Sequence, residues 1–326
     1  MKIIITGGGG FLGSRLCAKL LERGTLTGPS GNQEPITRVV LFDAYFHGAA
    51  TDPRVEQLVG DISSRDAVFK AIGPEAASIF HLASMVSGEC EERFDDALRV
   101  NLDGGRNVFE AARAAAGRPR VVFASSIAGY GGEAMIEENN DRTKLTPRTT
   151  YGMTKVICEL LVNDHTRKGH FDGRSARLPT VIVRPGKPNA AASSWASGMF
   201  REPLGGIDCP LPVRRSQSHP MTGYRTVIDS LIALHEIPET KLSDDRGYVL
   251  PAHRVTPELA DTVLKEAAKE RGLTLGKIVD AFDPRIQGIV DNWPVAVDGS
   301  RAVALGLPKP PALKRILEEY LEDYGG

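Results

Sequence analysis

The 326-residue chain is short of cysteine, carries no excess of one charge and has no long apolar run. Its four cysteines, Cys17, Cys90, Cys158 and Cys209, are scattered and form no CxxC pair, which argues against a disulfide framework or a cysteine zinc site. Cys17 and Cys158 fall within helical patterns, where a reduced, buried thiol is expected. The seven histidines also lack metal-ligand spacing, so no metal is expected. Lysine plus arginine number 40 against 41 aspartate plus glutamate. So even a balance leaves no electrostatic footprint for nucleic acid or an anionic membrane. No stretch approaches the length of a bilayer span. The opening Met1-Lys2-Ile3-Ile4-Ile5 is too short for a signal-peptide core before it runs into glycine. A reducing cytoplasm is the expected compartment. Internal repeats and low-complexity tails are absent.

What is there is ordinary globular composition, 41% hydrophobic and 25% charged, in a chain long enough for one large α/β unit or two packed lobes. In the first half, strand-like and helix-like runs alternate. Strands are expected at Lys2–Thr6, Arg38–Asp43, Val55–Val59, Ser78–His81 and Arg120–Ser125. Helices are expected at Phe11–Arg23, with Leu12, Leu16, Leu20 and Leu21 on one face, at Arg65–Ile72, over a long Glu91–Ala116 stretch, and at Tyr151–Arg167. Thr25–Thr37 is polar and reads as a loop. Such alternation needs crossover connections and hence a parallel sheet. Strands apolar throughout imply helices on both faces. The fold class is therefore α/β, a Rossmann-like doubly wound parallel sheet. The second half is less regular. A strand is expected over Arg177–Arg184, helices at Thr226–His235 and Pro311–Tyr324, and a helix from Thr256-Pro257 to about Arg271, with Thr as N-cap and Pro in the first turn. The expected division is a nucleotide-binding domain over 1–178 and a smaller substrate-binding lobe over 179–326, with 225–235 returning to the first domain.

The turn Thr6-Gly7-Gly8-Gly9-Gly10-Phe11-Leu12-Gly13 joins the first strand to the first helix. Glycine there permits a tight turn, close backbone approach to a pyrophosphate, and close helix–strand packing. Gly7, Gly10, Phe11, Leu12 and Gly13 are the expected cofactor contacts, with the helix N-terminus offering free N–H groups to the phosphates. Asp43 ends the second strand, where its carboxylate suits the ribose hydroxyls and repels a 2′-phosphate, which favours NAD over NADP. Asp61-Ile62 is expected beside the adenine, although a plain helix cap explains Asp61 nearly as well.

Tyr151 and Lys155 stand four apart on a helix and so share a face. A phenol ionises near pH 10. A neighbouring ammonium and an oxidised nicotinamide would stabilise the phenolate and make Tyr151 a general base near neutrality. Lys155 would also hold the nicotinamide ribose. Ser126, with Ser125 as the near alternative, ends a parallel strand where ligands bind in such sheets, and is expected to orient the substrate oxygen.

The glycine turn, Phe80-His81-Leu82-Ala83-Ser84, Ser125-Ser126-Ile127-Ala128-Gly129-Tyr130-Gly131 and Tyr151–Lys155 occur in the order seen in extended short-chain dehydrogenases/reductases. The chain resembles that group, which includes sugar-nucleotide epimerases, dehydratases and dehydrogenases, over its whole length. The resemblance implies Leu82, Ala83, Ser84 and Ser125 bordering the cofactor, Asn101 behind the active site and Pro179 near the nicotinamide. It also implies pairing into a homodimer through the Glu91–Ala116 and Tyr151–Arg167 helices.

The sugar-nucleotide enzymes of that group carry an Arg-Asp-Phe/Tyr-Ile-His-Val-Asp-Asp type segment. Here Gly223-Tyr224-Arg225-Thr226-Val227-Ile228-Asp229 lacks its histidine and first aspartate. The run from Leu178 to Ser194, with Thr149-Thr150-Tyr151 and Lys155 to Glu159, instead resembles the D-erythronate dehydrogenase subfamily. That resemblance implies oxidation of the 2-hydroxyl of a four-carbon sugar acid, with NAD as acceptor. Arginine matches a carboxylate with paired hydrogen bonds. Arg184, Arg201, Arg225 and Lys187 are the candidates for it, and Ser84, Asn189 and Ser194 for substrate hydroxyls. His219 reads more simply as a satisfied loop histidine. An epimerase or dehydratase, with transient hydride transfer, and a non-catalytic NAD-binding regulator are the rival readings.

Overall fold

A computed structural model describes residues 1–186 and 193–325. Apolar runs bounded by turn residues become strands. β1 (Lys2–Thr6) is followed by α1 (Phe11–Arg23), a hairpin of β2 (Thr25–Thr27) and β3 (Gln33–Pro35), β4 (Arg38–Asp43), β5 (Val55–Val59), α2 (Arg65–Ile72) and β6 (Ala76–His81). Next come α3 (Ser87–Glu92), α4 (Phe94–Ala97), α5 (Gly104–Ala114), β7 (Arg120–Ser126), α6 (Thr150–Arg167) and β8 (Asp172–Leu178). The rest comprises β9 (Thr180–Ile182), α7 (Ser194–Leu204), β10 (Cys209–Leu211), β11 (His219–Gly223), α8 (Tyr224–Glu236), β12 (Gly247–Val249) and β13 (His253–Val255). It ends with α9 (Pro257–Arg271), β14 (Ile278–Asp280), α10 (Pro284–Val290), α11 (Ser300–Ala304) and α12 (Leu313–Tyr324).

Seven strands in the order β5–β4–β1–β6–β7–β8–β12 form one sheet in which every pair is parallel. The chain moves outward one way from β1 to β5 and the other way from β6 to β12. The crevice between the carboxyl ends of β1 and β6 is therefore the switch point where ligands of doubly wound sheets bind. Alternate residues of β1 feed the two faces. Ile3 and Ile5 pack with Leu16 and Leu20 of α1 and Leu231 of α8, while Ile4 packs with Val68 of α2 and Phe109 of α5. This is the Rossmann-like doubly wound α/β fold read from the sequence.

A separate core of Ile182, Met199, Phe200, Leu211, Met221, Leu264 and Ile316 unites the elements after β8. α8 lies instead against the sheet. Buried Arg174 in β8 reaches its end and donates to the carbonyls of Leu234, His235 and Ile237, each at 2.9 Å. Those are the carbonyls a helix C-terminus leaves unpaired.

Three expectations change in detail. Part of the Thr25–Thr37 stretch pairs as the β2–β3 hairpin. The helix over Glu91–Ala116 is broken at Arg93 and passes through a π-helical turn at Leu98–Asp103 before α5. The strand over Arg177–Arg184 splits at Pro179: β8 stays in the large sheet and β9 joins β11, because proline cannot donate to the ladder. All four cysteines are free and buried. Among the described residues no helix is long and apolar enough to cross a membrane, and no cluster of side chains suits a metal ion.

Candidate active site

A cleft of about 340 Å³ opens at the switch point. One wall is the β1–α1 turn. Gly7 has φ +74°, and a Cβ there would lie 2.7 Å from the Ala83 nitrogen; one on Gly13 would lie 2.1 Å from the Gly7 carbonyl oxygen. Only bare backbone fits this cradle. α1 begins at Gly10 with no side-chain cap and no acid in its first turn. Its leading N–H groups are thus left to an outside anion, as a pyrophosphate site needs. Asp43 accepts from the Gly9 N–H at 2.9 Å and from the Ala44 N–H at 2.7 Å, so it braces the same turn from the end of β4. These features fit a dinucleotide: Gly7, Gly10, Phe11, Leu12 and Gly13 would hold its phosphates and Asp43 the ribose beyond.

The opposite wall is built by β7 and α6. Thr149 caps α6 by accepting from the Gly152 N–H at 3.0 Å, which sets Tyr151 in the first turn. A Cβ on Gly152 would lie 2.1 Å from the Ala128 carbonyl oxygen, so glycine at this position lets the helix start come against the turn that follows Ser126. Ser126 accepts from the Ala128 N–H at 3.1 Å, lines the same cleft as Tyr151 and draws the pKa of its phenol down. Ser125 points elsewhere, donating its hydroxyl to buried Glu159. Of the two neighbours, Ser125 is thus engaged behind the cleft and Ser126 is the one whose hydroxyl acts on the phenol.

Burial pushes the Tyr151 phenol up to about 12; Ser126 and the positive charge of Arg184 pull it back in part. Burial pushes the Lys155 ammonium down to about 8, and its Nζ donates to the Ala124 carbonyl at 2.8 Å. Burial thus acts on both members of the pair against their charged forms, and the charge that lowers the phenol is that of Arg184.

Other expected site residues divide clearly. Leu82, Ser84, Ser125 and Pro179 line the cleft, while Ala83 backs the Gly7 turn. Asn101 lies behind it, accepting from the Met85 N–H at 2.7 Å and so holding the loop after β6. Asp61 is ion-paired to Arg99 at 2.8 Å and Ile62 is buried in the core; neither lines this cleft. Arg201 is not in the cleft either: it donates to the Arg184 carbonyl at 3.0 Å and pairs with Glu202. Arg225 ties α8 to α12 through Glu322 at 2.9 Å and Asp323 at 2.7 Å. The acidic partners of Arg225 come from a helix almost 100 residues on, whereas that of Arg201 is its own neighbour in the chain. Ser194 starts α7, next to the cleft-lining Ser193. Lys187 and Asn189 lie outside the described residues.

The cleft also contains residues that spacing did not mark. Trp293 and Pro294 come from the irregular segment after α10, which has no periodicity to assign it a face. His219, read as a satisfied loop histidine, is a buried wall residue at the start of β11.

The geometry agrees with what the chain is similar to. A protein of Cupriavidus necator named D-erythronate dehydrogenase is 39% identical over 325 residues, covering 100% of this chain and 99% of its own. Another of that name, from Haemophilus influenzae, is 36% identical over 99% of both chains. A crystal structure described as the nucleoside-diphosphate-sugar epimerase from Agrobacterium tumefaciens superposes with a TM-score of 0.88 at 34% identity, covering 100% of this chain and 95% of that one. Residues 3–210 match the model of the NAD dependent epimerase/dehydratase family. With the glycine cradle, the Tyr151–Lys155 helix and these full-length likenesses in place, the chain belongs to the NAD dependent epimerase/dehydratase family.

Proposed function

We propose that this chain oxidises the 2-hydroxyl of a four-carbon sugar acid, D-erythronate, to 2-oxo-tetronate with NAD as acceptor. The observation that carries the reading is the pairing of a Ser126–Tyr151 hydroxyl site with a cationic Arg184 in one cleft. A 2-hydroxy acid needs both: a proton acceptor at C2 and a positive charge for the carboxylate one carbon away. The full-length likeness to two proteins named D-erythronate dehydrogenase supports the choice of acid.

NAD, when bound, supplies the hydride acceptor. The chain's own residues supply the rest. Ser126 holds the C2 oxygen, and Tyr151 takes its proton. Arg184 faces the carboxylate, where a guanidinium makes paired, charge-assisted bonds. Arg201, through the Arg184 carbonyl, fixes the strand end that carries it. Lys155 and Asn101 keep α6 and the loop after β6 in place around the reacting atoms.

The likeness to the Agrobacterium protein favours a second reading, hydride transfer that returns to a nucleotide sugar. Incubation with NAD and D-erythronate separates the two. Steady growth of NADH absorbance is expected; conversion of a nucleotide sugar without NADH, and silence with every sugar acid, would displace the first reading. We also propose a homodimer paired through the α3–α5 and α6 segments, a reading supported by Leu160 on α6 and Phe94 on α4, which are 62% and 53% exposed. Sedimentation at dimer mass, lost in Leu160→Glu, is the expected result.

A further inference from the structure

The wall of the cleft contributed by β9 and β11 contains a polar pair that the reaction at C2 does not use. His219 is buried, and its Nε2 lies 2.7 Å from the Thr180 hydroxyl on the neighbouring strand. The imidazole sits between the two tryptophans of the chain, 6.3 Å from Trp195 and 5.2 Å from Trp293 by ring centroids. Thr180, His219 and Trp293 all line the cleft, and Thr180 is half-buried, with its oxygen fixed on one side by the imidazole.

Burial lowers the His219 pKa to about 4, so the ring is neutral at physiological pH. The Pro294 backbone acts in the opposite direction. Apart from the Ser126–Tyr151–Lys155 group, the cleft thus presents two polar centres of different kind. Arg184 is cationic and matches an anion. The Thr180–His219 pair is neutral, partly dry and walled by indole, which matches a hydroxyl on a carbon chain and not a carboxylate. A sugar acid has the same division, with a charged C1 and neutral hydroxyls beyond C2.

On the sugar-acid reading above, we propose that Thr180, oriented by His219, is the specificity-determining residue that binds the hydroxyls beyond C2. His219 is then a positioning residue: its bond leaves the threonine oxygen one defined direction in which to meet the substrate. A substrate lacking those hydroxyls forgoes the bond to the threonine oxygen, and a site built to hydrogen-bond a hydroxyl rejects such an analogue more strongly than an apolar pocket rejects an added group.

The test compares kcat/KM for D-erythronate with that for D-2-hydroxybutyrate, which has no hydroxyl beyond C2, in the full-length enzyme with NAD. The wild type should prefer D-erythronate by about tenfold or more, one unpaired hydrogen bond being worth that factor. Thr180→Val should bring the ratio to within about threefold by losing rate on D-erythronate alone, and Thr180→Ser should restore it. His219→Gln should lower the ratio partway. Circular dichroism and the fluorescence of the two tryptophans report whether each variant is folded, and His219→Gln carries the comparison if Thr180→Val is not. A ratio unchanged in Thr180→Val, or a loss that falls on the KM for NAD with the ratio intact, would overturn the proposal alone. A wild type inactive on every sugar acid would instead remove the substrate reading, and this inference with it.

Discussion

The Lys155 ammonium faces the Ala124 carbonyl at 2.8 Å and lies 5.4 Å from the centre of the Tyr151 ring one helical turn before it. Burial depresses its pKa from 10.5 to about 8. A group depressed in the folded state contributes stability above its unfolded pKa, here about 10.5, and loses it as pH falls through about 8. Below pH 8 the fold therefore carries the cost of a buried ammonium. Lys155→Met should lose about 100-fold or more in kcat. It should also unfold at higher denaturant at pH 7, by about 1–3 kcal/mol, the gain fading as pH rises through that window. Urea titrations at pH 7 and pH 10 check the sign; a variant less stable at pH 7 would show that the bond to Ala124 outweighs the burial of charge.

Tyr151 carries the opposite linkage. Its pKa is raised from 10.0 to about 12, so its protonated form supports the fold below pH 10 and that support is lost as pH rises through 12. A phenol held so high is a poor base near neutrality. The positive charge of an oxidised nicotinamide bound beside it would lower the pKa. We expect the tyrosinate absorbance difference between wild type and Tyr151→Phe to move to lower pH when NAD is added. Tyr151→Phe should lose about 1,000-fold in kcat with a smaller change in KM. A titration indifferent to NAD would point to another source for the phenolate.

Legibility in the sequence followed the range of the interactions. β1, α1 and the glycine turn are set by local pattern, and the structure has them at the residues read. Tyr151 and Lys155 are bound by helical spacing, and their shared face is found. The split at Pro179 was written in the missing N–H, but only the pairing of β9 with β11 reveals its consequence. Arg225 and Arg201 are different. Whether an arginine meets a substrate or Asp323 and Glu202 depends on contacts about 100 residues away or on the direction of one helix, and neither leaves a periodic trace. Trp293 reaches the cleft from an irregular segment for the same reason.

Asp43 links the cofactor question to the cradle itself. Its carboxylate accepts from the Gly9 and Ala44 N–H groups and so shapes the turn, while its charge at the end of β4 would repel a 2′-phosphate. Asp43→Ala should raise the KM for NAD about tenfold and narrow the preference over NADP by a larger factor, because repulsion of the phosphate is lost as well. Asp43→Asn keeps an acceptor for the turn without the charge. It should hold NAD better than the alanine variant while still admitting NADP. Equal discrimination in all three proteins, measured as the ratio of kcat/KM for the two cofactors, would place the ribose contact elsewhere.

Behind Ser126 lies a buried ion pair whose removal separates stability from chemistry. Arg177 meets Glu159 through Nε at 3.0 Å and Nη2 at 2.7 Å, Ser125 donates to the same carboxylate, and Asp141 stands 3.6 Å from the guanidinium. Cutting one partner leaves a buried charge without its mate, which costs about 3–5 kcal/mol, whereas replacing both by apolar groups of similar volume is often near neutral. Glu159→Leu alone should therefore lower the urea midpoint sharply, and Glu159→Leu with Arg177→Met should recover much of the loss. The recovery is incomplete because Ser125, Tyr130 and Asp141 would each lose a partner held by the pair. If the double variant fell as far as the sum of the single ones, the two side chains would be acting independently, and the network would not be what holds the β7 end beneath the active-site serine.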